Sequence, residues 1–385
     1  MSTQTKAHGM DGRLVEPDWP PLTLEEVSRL LAEYDDFRGP VAILSASPRP
    51  FSAASVVASG GGRVFVKRHH KRVRNVEGLL EEHAFLAHLY SRGAAVPRVL
   101  QTTTGATAVE RGEWTYEVHE VPDGVDAYEE AISWTPFRRG RHAWEAGAAL
   151  ARMHEASRGF ERPAREPRPL VASFSIFASE DPNAAMREYL AARPAIGEDD
   201  ATRLRCEEAL ELLQPFHAEL RSLLPALRPL WTHNDLHASN LFWSSSGEDA
   251  RASAMIDFGL ADRTNAVHDL AQAIERNVVE WLALVNDPEH PGDVCVHVDH
   301  LHAMLEGYES VGALTREEAA ALAPMTALCH AEFALSESDY YLGVLHAPEK
   351  AAMASDGYLL GHARWFRGAG AKLLDAIRRW AGGPR

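Results

Sequence analysis

Cysteine is scarce in this sequence: Cys206, Cys295 and Cys329 are the only three in 385 residues, and no Cys-x-x-Cys pair occurs. An odd, scattered set excludes a disulfide framework and a zinc knuckle, so a reducing cytoplasm is the expected compartment. Long apolar runs are missing as well. No stretch has the length and hydrophobicity of a membrane span, and the opening MSTQTKAHGMDGRLVEPDWPP reads as a polar tail, neither signal peptide nor anchor. Basic charge is in deficit, with 39 Lys and Arg against 55 Asp and Glu and a net charge of -16. Such a surface repels phosphate, which argues against nucleic-acid and anionic-membrane partners. One basic cluster runs against that balance: Lys67, Arg68, His69, His70, Lys71, Arg72 and Arg74. Internal repeats and low-complexity tracts are absent.

What is present is an α+β pattern with enough apolar residues, 45%, for a substantial core. Thr23 followed by Glu25 and Glu26 marks a helix start, and the helix is expected to run to about Phe37 before Gly39-Pro40. VAILSA, ASVVAS and RVFVKRHH then read as strands, the last two joined by Gly60-Gly61-Gly62 as a hairpin turn. From Asn75 to Arg92 the period changes to helical, with Leu79, Glu82, Leu86 and Leu89 on one stripe and Gly93 as the stop. ATAVERG and WTYEVHEV complete a five-stranded antiparallel sheet, and Pro122-Asp123-Gly124 breaks the pattern. The expected organisation is a polar tail over 1–22, a small lobe over 23–122 and a large, mostly helical lobe over 123–385. Helices are expected at 139–156, at 200–224 and from His268 onward, with 159–194 as loop and insert. RPLWTH and ASAMIDF are short β-like runs around a polar segment.

That polar segment carries the chemistry. His233-Asn234-Asp235-Leu236-His237-Ala238-Ser239-Asn240 is followed, after a short hairpin, by Asp257-Phe258-Gly259. An Asp four residues ahead of an Asn, with Asp-Phe-Gly downstream, is the spacing of a kinase catalytic loop. One tight loop presents a carboxylate to an acceptor hydroxyl and an amide oxygen to Mg²⁺, while a neighbouring strand supplies a second carboxylate. The alternation of His233, Asp235 and His237 also fits a zinc hydrolase, but that reading leaves Asn240 and Asp257 without a role.

The segment resembles the aminoglycoside phosphotransferase and choline kinase superfamily, whose catalytic loop reads like His-Gly-Asp-Leu-His-Pro-Gly-Asn. GAALARMH at 147–154 resembles the helix ahead of that loop, and His268-Asp269-Leu270-Ala271 resembles the element after the metal-binding Asp. The resemblance implies a two-lobed protein-kinase-like fold, ATP and Mg²⁺ as cofactors, Asp235 as catalytic base, and Asn240 and Asp257 as metal ligands. It also implies a structural role for Asp269 beneath the catalytic loop, with His233 shaping it. Lys67 stands where a phosphate-binding Lys is required, and Glu82, the acid on the sheet-facing stripe of the next helix, is its expected partner. The basic cluster around Lys67 then belongs to a nucleotide site, with its other arginines a solvated edge. Asn234 and Ser239 stand where the family has glycines, and SASPRPFSAAS lacks a glycine-rich phosphate loop.

At the lobe connection, the Glu120 carbonyl and the Val121 N–H are the expected partners of adenine. Only nine residues separate Gly259 from Asp269, too few for the activation segment of a protein kinase. A small hydroxylated acceptor is therefore expected: an aminoglycoside, choline, homoserine or a sugar. A protein serine/threonine kinase and a non-catalytic nucleotide-binding module are the alternatives, the latter disfavoured because Lys67, Asp235, Asn240 and Asp257 are all retained. For the acceptor, HAEFALSESDYYLGVLH offers Glu332, Glu337 and Asp339 among aromatics, a combination suited to an amine. Asp262 is expected to be a turn residue.

Overall fold

The computed structural model describes residues 7–8, 14–37, 39–47 and 49–383; half of the 1–22 tail, and Pro48 in the first strand connection, lie outside them. The chain divides into two compact units, 1–123 and 124–385.

In the first unit, α1 (Leu24–Leu31) opens with a capping box in which Thr23 and Glu26 satisfy each other's amides. It is shorter than expected. The Glu33 and Tyr34 N–H groups donate to the Leu30 and Leu31 carbonyls, and this tightening leads into a separate turn at Asp35–Phe37. Five strands follow: β1 (Ala42–Ala46), β2 (Ala53–Ser59), β3 (Gly62–His70), β4 (Ala108–Arg111) and β5 (Trp114–Glu120). They pair antiparallel in the order β1-β2-β3-β5-β4, and α2 (Val76–Ser91) lies between β3 and β4 in sequence.

Alternation along β3 sorts its side chains. Val64 and Val66 join Val27, Leu30 and Leu31 of α1, and Tyr34 just beyond it, in one core. Arg68, on that same face, donates to Glu26 at 2.8 and 3.0 Å and lies 4.2 Å over the Trp114 ring. Lys67 and His69 take the other face. The arginines near Lys67 are thus not simply a solvated edge: Arg68 and Arg74 are buried, and the Arg74 Nε sits 3.6 Å from Glu82. A long side chain on a strand can lay its stem along the sheet and find an acid on a helix, a pairing that local charge density does not disclose.

The second unit is built around α6 (Ala266–Val278), nearly every residue of which is buried. Helix α3 (Gly140–Ser157) packs against α7 (Val298–Glu309) through two glycines. A Cβ on Gly147 would stand 2.0 Å from the Met304 carbonyl oxygen, and one on Gly307 would stand 1.9 Å from that of Trp144. Only the missing side chains permit this approach. Two small antiparallel sheets carry the polar segment: β6 (Pro229–Thr232) pairs with β9 (Asp262–Asn265), and β7 (Leu241–Trp243) with β8 (Ala252–Met255).

The 159–194 region contains α4 (Pro182–Ala191), a helix that its Pro- and Arg-rich composition hides. Asp181 caps it through the Asn183 and Ala184 amides, and Pro182 occupies the first turn. Helix α5 covers Asp200–Leu220, and α8 (Arg316–Leu328) and α9 (His330–Gly343) follow. No helix among the described residues is long and apolar enough to cross a membrane.

Candidate active site

The loop from His233 to Asn240 is held from below by one carboxylate. Asp269, fully buried on the first turn of α6, accepts the His233 N–H at 2.9 Å, the Asn234 N–H at 2.8 Å and His154 Nε2 at 2.9 Å. His154 in turn bonds the Tyr308 hydroxyl at 2.8 Å, so the glycine-mediated contact of α3 with α7 fixes the clamp. Burial raises the Asp269 pKa, but the His154 hydrogen bond and charge, together with the charge and amide of His233, outweigh it and hold the carboxyl below its ordinary value.

Asn234 has a left-handed backbone, φ 60°, at the position where the family has glycine. Asn adopts this region more readily than other side chains, and here it adds a staple. Its Oδ1 accepts from Thr232 at 2.8 Å and from Thr264 at 3.1 Å, and its Nδ2 donates to the Leu260 carbonyl at 3.2 Å. His233 spends both ring nitrogens on backbone: Nε2 on the Ile256 carbonyl at 2.9 Å and Nδ1 on the Asp235 N–H at 3.1 Å. That bonding answers the zinc-hydrolase alternative, because neither nitrogen is left for a metal shared with His237. His237 bonds Ser239 at 2.8 Å.

Asp235 and Asn240 meet across the loop. Asn240 Nδ2 donates to the Asp235 carbonyl at 2.8 Å and to its carboxylate at 3.2 Å, which leaves the amide Oδ1 to offer a cation. The β7–β8 hairpin brings the second carboxylate: the Ile256 N–H donates to the Asn240 carbonyl at 2.9 Å, and Asp257 follows in a left-handed conformation, φ 59° and ψ 72°. A non-glycine residue held there costs roughly 1–3 kcal/mol and turns the chain sharply out of its strand. The Asp235 pKa is raised, chiefly by burial; the Arg276 charge works against this and that of Asp257 adds to it. Two oxygen donors of this kind suit a hard divalent cation.

Arg276 was not apparent from the sequence. It is buried, forms an ion pair with Asp235, and lies 4.3 Å over the Phe333 ring and 5.3 Å over that of Trp134. Among the described residues its Nε and Nη2 have no hydrogen-bond partner. Asn277 is a second addition, accepting from the Ala238 N–H at 3.0 Å and donating to the Leu236 carbonyl at 2.7 Å. Both lie seven and eight residues beyond Asp269, on the same helical stripe, and that spacing was the available signal.

The three acids of α9 separate. Glu332 accepts the Ile176 N–H at 2.6 Å, the Ser175 N–H at 2.5 Å and the Ser175 hydroxyl at 3.1 Å, so it clamps a loop. Asp339, seven residues on, shares that face; burial pushes it up to about 6 against the pull of Arg193. Glu337 lies one residue past the turn that carries Phe333, and its charge acts on Arg276. Asp262 is no turn residue. It sits buried in β9, accepting the Arg165 N–H at 2.8 Å and the Ser173 hydroxyl.

In the first unit Lys67 stands on β3 opposite Glu117 of β5, and Glu82 is buried on α2. Glu120 ends β5, its N–H donating to the Arg98 carbonyl at 3.0 Å, and Val121 follows.

Comparison with known proteins agrees with this architecture. The chain is 26% identical to the homoserine kinase of Methylobacterium radiotolerans over 274 residues, 68% of each protein. Among solved structures it resembles the amicoumacin kinase hAmiN, in complex with AMP-PNP, Ca²⁺ and its ligand, with a TM-score of 0.54 and 15% identity over 86% of this chain and 93% of the other. The aminoglycoside phosphotransferase APH(4)-Ia, as a thermostable variant with ADP and hygromycin B, gives 0.53 and 14% over 89% and 99%. These likenesses are of kinase-like folds. The family model of the phosphotransferase enzymes matches residues 50–289, more than half of the sequence and including the whole catalytic loop, and the chain belongs to that family.

Proposed function

We propose that the chain transfers the γ-phosphoryl of MgATP to a hydroxyl of a small molecule, with Asp235 as the general base. The observation that carries this reading is the loop closed on Asp269, which sets Asp235 beside Asn240 with its pKa raised by burial. A carboxylate shifted toward working pH is a better proton acceptor than an ordinary one. Asp235 orients the acceptor hydroxyl and takes its proton, while Asn240 and Asp257 hold Mg²⁺. When bound, the cation neutralises charge on the phosphates, and positioning does most of the remaining work. Lys67, supported by Glu82, serves the α- and β-phosphates; the Glu120 carbonyl and Val121 N–H serve adenine.

The peptide-kinase alternative loses further ground here. All the residues between Gly259 and Asp269 belong to a short turn, β9 and the start of α6, which leaves no segment to act as an activation loop. For the acceptor, Arg276 beside Asp235 and Glu337 near Arg276 support a compound with an anionic group and an amine as well as its hydroxyl, as homoserine has. Of the α9 acids, Glu332 is engaged by the Ser175 and Ile176 amides and Asp339 lies on that same face, so Glu337 is the one retained in this role.

The test is ADP release from MgATP across a panel of homoserine, choline, aminoglycosides and neutral sugars, with the phosphorylated product identified by mass. Acceptor-dependent ADP release that Asp235→Asn abolishes supports the proposal. Its absence across the panel, or a product phosphorylated on protein only, overturns it. A neutral sugar as best acceptor overturns the charge reading and leaves phosphoryl transfer standing.

A further inference from the structure

Three histidines converge on one buried carboxylate in the first unit, Glu117, on the sheet face that also carries Lys67, its cross-strand partner. Glu117 of β5 is 2% exposed. Its Oε2 lies 2.9 Å from His83 Nε2 of α2 and 2.9 Å from His119 Nε2, two residues along β5. Its Oε1 lies 2.9 Å from His69 Nε2 of β3. The His83 and His119 rings stand nearly perpendicular, with centroids 6.0 Å apart, so their nitrogens approach the oxygen from two directions. We propose that His83, His119 and Glu117 form a binding site for a transition-metal ion of the zinc type.

The donor set is the first argument. Two imidazole nitrogens and one carboxylate oxygen, all within 4.8 Å of one another, are ligands that a borderline-soft divalent ion prefers and that Mg²⁺ does not. Ligand bonds of about 2.0–2.1 Å in tetrahedral array place neighbouring donors roughly 3.3 Å apart, so the observed 2.9 Å needs an expansion of a few tenths of an ångström. The outer shell is the second argument. A metal-bound histidine usually donates its other ring N–H to a fixed acceptor, and His83 Nδ1 lies 2.9 Å from the Thr107 hydroxyl. His69, donating to the far oxygen of Glu117, orients the carboxylate in the same way.

Protons balance without an external acid or base. In the metal-free form His83 donates Nε2–H to Glu117 and accepts from Thr107 at Nδ1; with the ion on Nε2, the ring carries its proton on Nδ1 and the Thr107 hydroxyl turns to accept it. Three protein ligands leave a fourth position for water. His119, less buried than its partners with 12% of its side chain exposed, marks the entry side. The site adjoins the proposed nucleotide residues, since Lys67 stands opposite Glu117, and its test reads metal binding rather than phosphoryl transfer.

The experiment uses the full chain, stripped with a chelator, and Zn²⁺, Co²⁺ and Mg²⁺ as probes. Isothermal titration should find one Zn²⁺ per chain that Mg²⁺ does not displace, Zn²⁺ should raise the melting temperature, and Co²⁺ should give the intense visible absorption of a four-coordinate ion. His119→Gln and Glu117→Gln should each weaken Zn²⁺ binding at least about 10- to 100-fold. A second group, His297, Asp299 and His300 in the other unit, supplies the control. His300→Gln should leave binding unchanged. Should Glu117→Gln fail to fold, the more exposed His119→Gln decides alone. Undetectable Zn²⁺ binding, a weak six-coordinate Co²⁺ spectrum, equal affinity in His119→Gln and the parent, or a loss confined to His300→Gln would each overturn the site.

Discussion

Asp269 and Glu332 are both buried carboxylates on helices of the second unit, each accepting two consecutive backbone N–H groups from a distant segment. Asp269 takes those of His233 and Asn234, and Glu332 those of Ser175 and Ile176. Their local chemistry is alike, yet one holds a loop that presents Asp235 and the other holds a loop whose residues have no place in the proposed transfer. A buried acid with satisfied amides is therefore evidence of a fixed loop and nothing more. What that loop carries decides whether the acid matters to activity.

The largest effect should come from the residue the first clamp presents. Asp235→Asn keeps shape and loses the base, and turnover should fall by roughly 10²-fold or more while the KM for ATP stays near that of the parent. Steady-state ADP release with the best acceptor measures both. An unchanged rate would remove the functional half of the contrast between the two clamps.

Next come the clamps themselves. Asp269→Asn leaves one oxygen for three donors and turns an N–H toward them, so stability should drop by about 2–4 kcal/mol and turnover should fall with it. Glu332→Gln makes the same chemical change and should cost about 1–3 kcal/mol of stability with kcat and acceptor KM unaltered. Urea unfolding and kinetics on the two variants separate the cases. Equal kinetic damage from both would mean that α9 takes part in the site through Glu332, as an amine-binding role requires.

The same contrast explains what could be read from the sequence. The five strands, α2 and the Asp235–Asn240–Asp257 spacing were legible because each is set by short-range rules, alternation in strands and reach in a catalytic loop. Lys67 and Glu82 could be named from strand position and helical stripe, although the engagement of Glu82 by Arg74 could not. Arg276 and Asn277 had a faint signal in their distance from Asp269. Glu332 had none, because its partners lie 156 and 157 residues away and no local pattern reports them. Helix α4 was hidden by composition: its cap and first-turn proline resemble loop signals until the backbone is seen to turn. The five-stranded sheet and mostly helical remainder agree with the expected fold class, while the nucleotide and acceptor roles rest on proposals.

The smallest effect sharpens the difference within α9. Asp339 shares the Glu332 face but lacks its pair of amides, and burial, opposed by Arg193, raises its carboxyl to about 6 from an ordinary value of 3.8. In the unfolded chain the group titrates near its ordinary value, so between these two values the folded state binds more protons than the unfolded one. The stability contributed by Asp339 is then fully present below about pH 4, falls as pH rises through the window from about 4 to 6, and is constant above it. With partial solvent access, the fall should be on the order of 2 kcal/mol. Asp339→Asn cannot titrate and should lose this component. Compared with the parent, the variant should therefore gain relative stability as pH rises from 4 to 7, measured by urea unfolding at each pH with other titrating groups common to both proteins. A difference independent of pH would show that the Asp339 carboxyl is not raised in the folded state, and the claim that burial leaves this acid without compensating donors would fail.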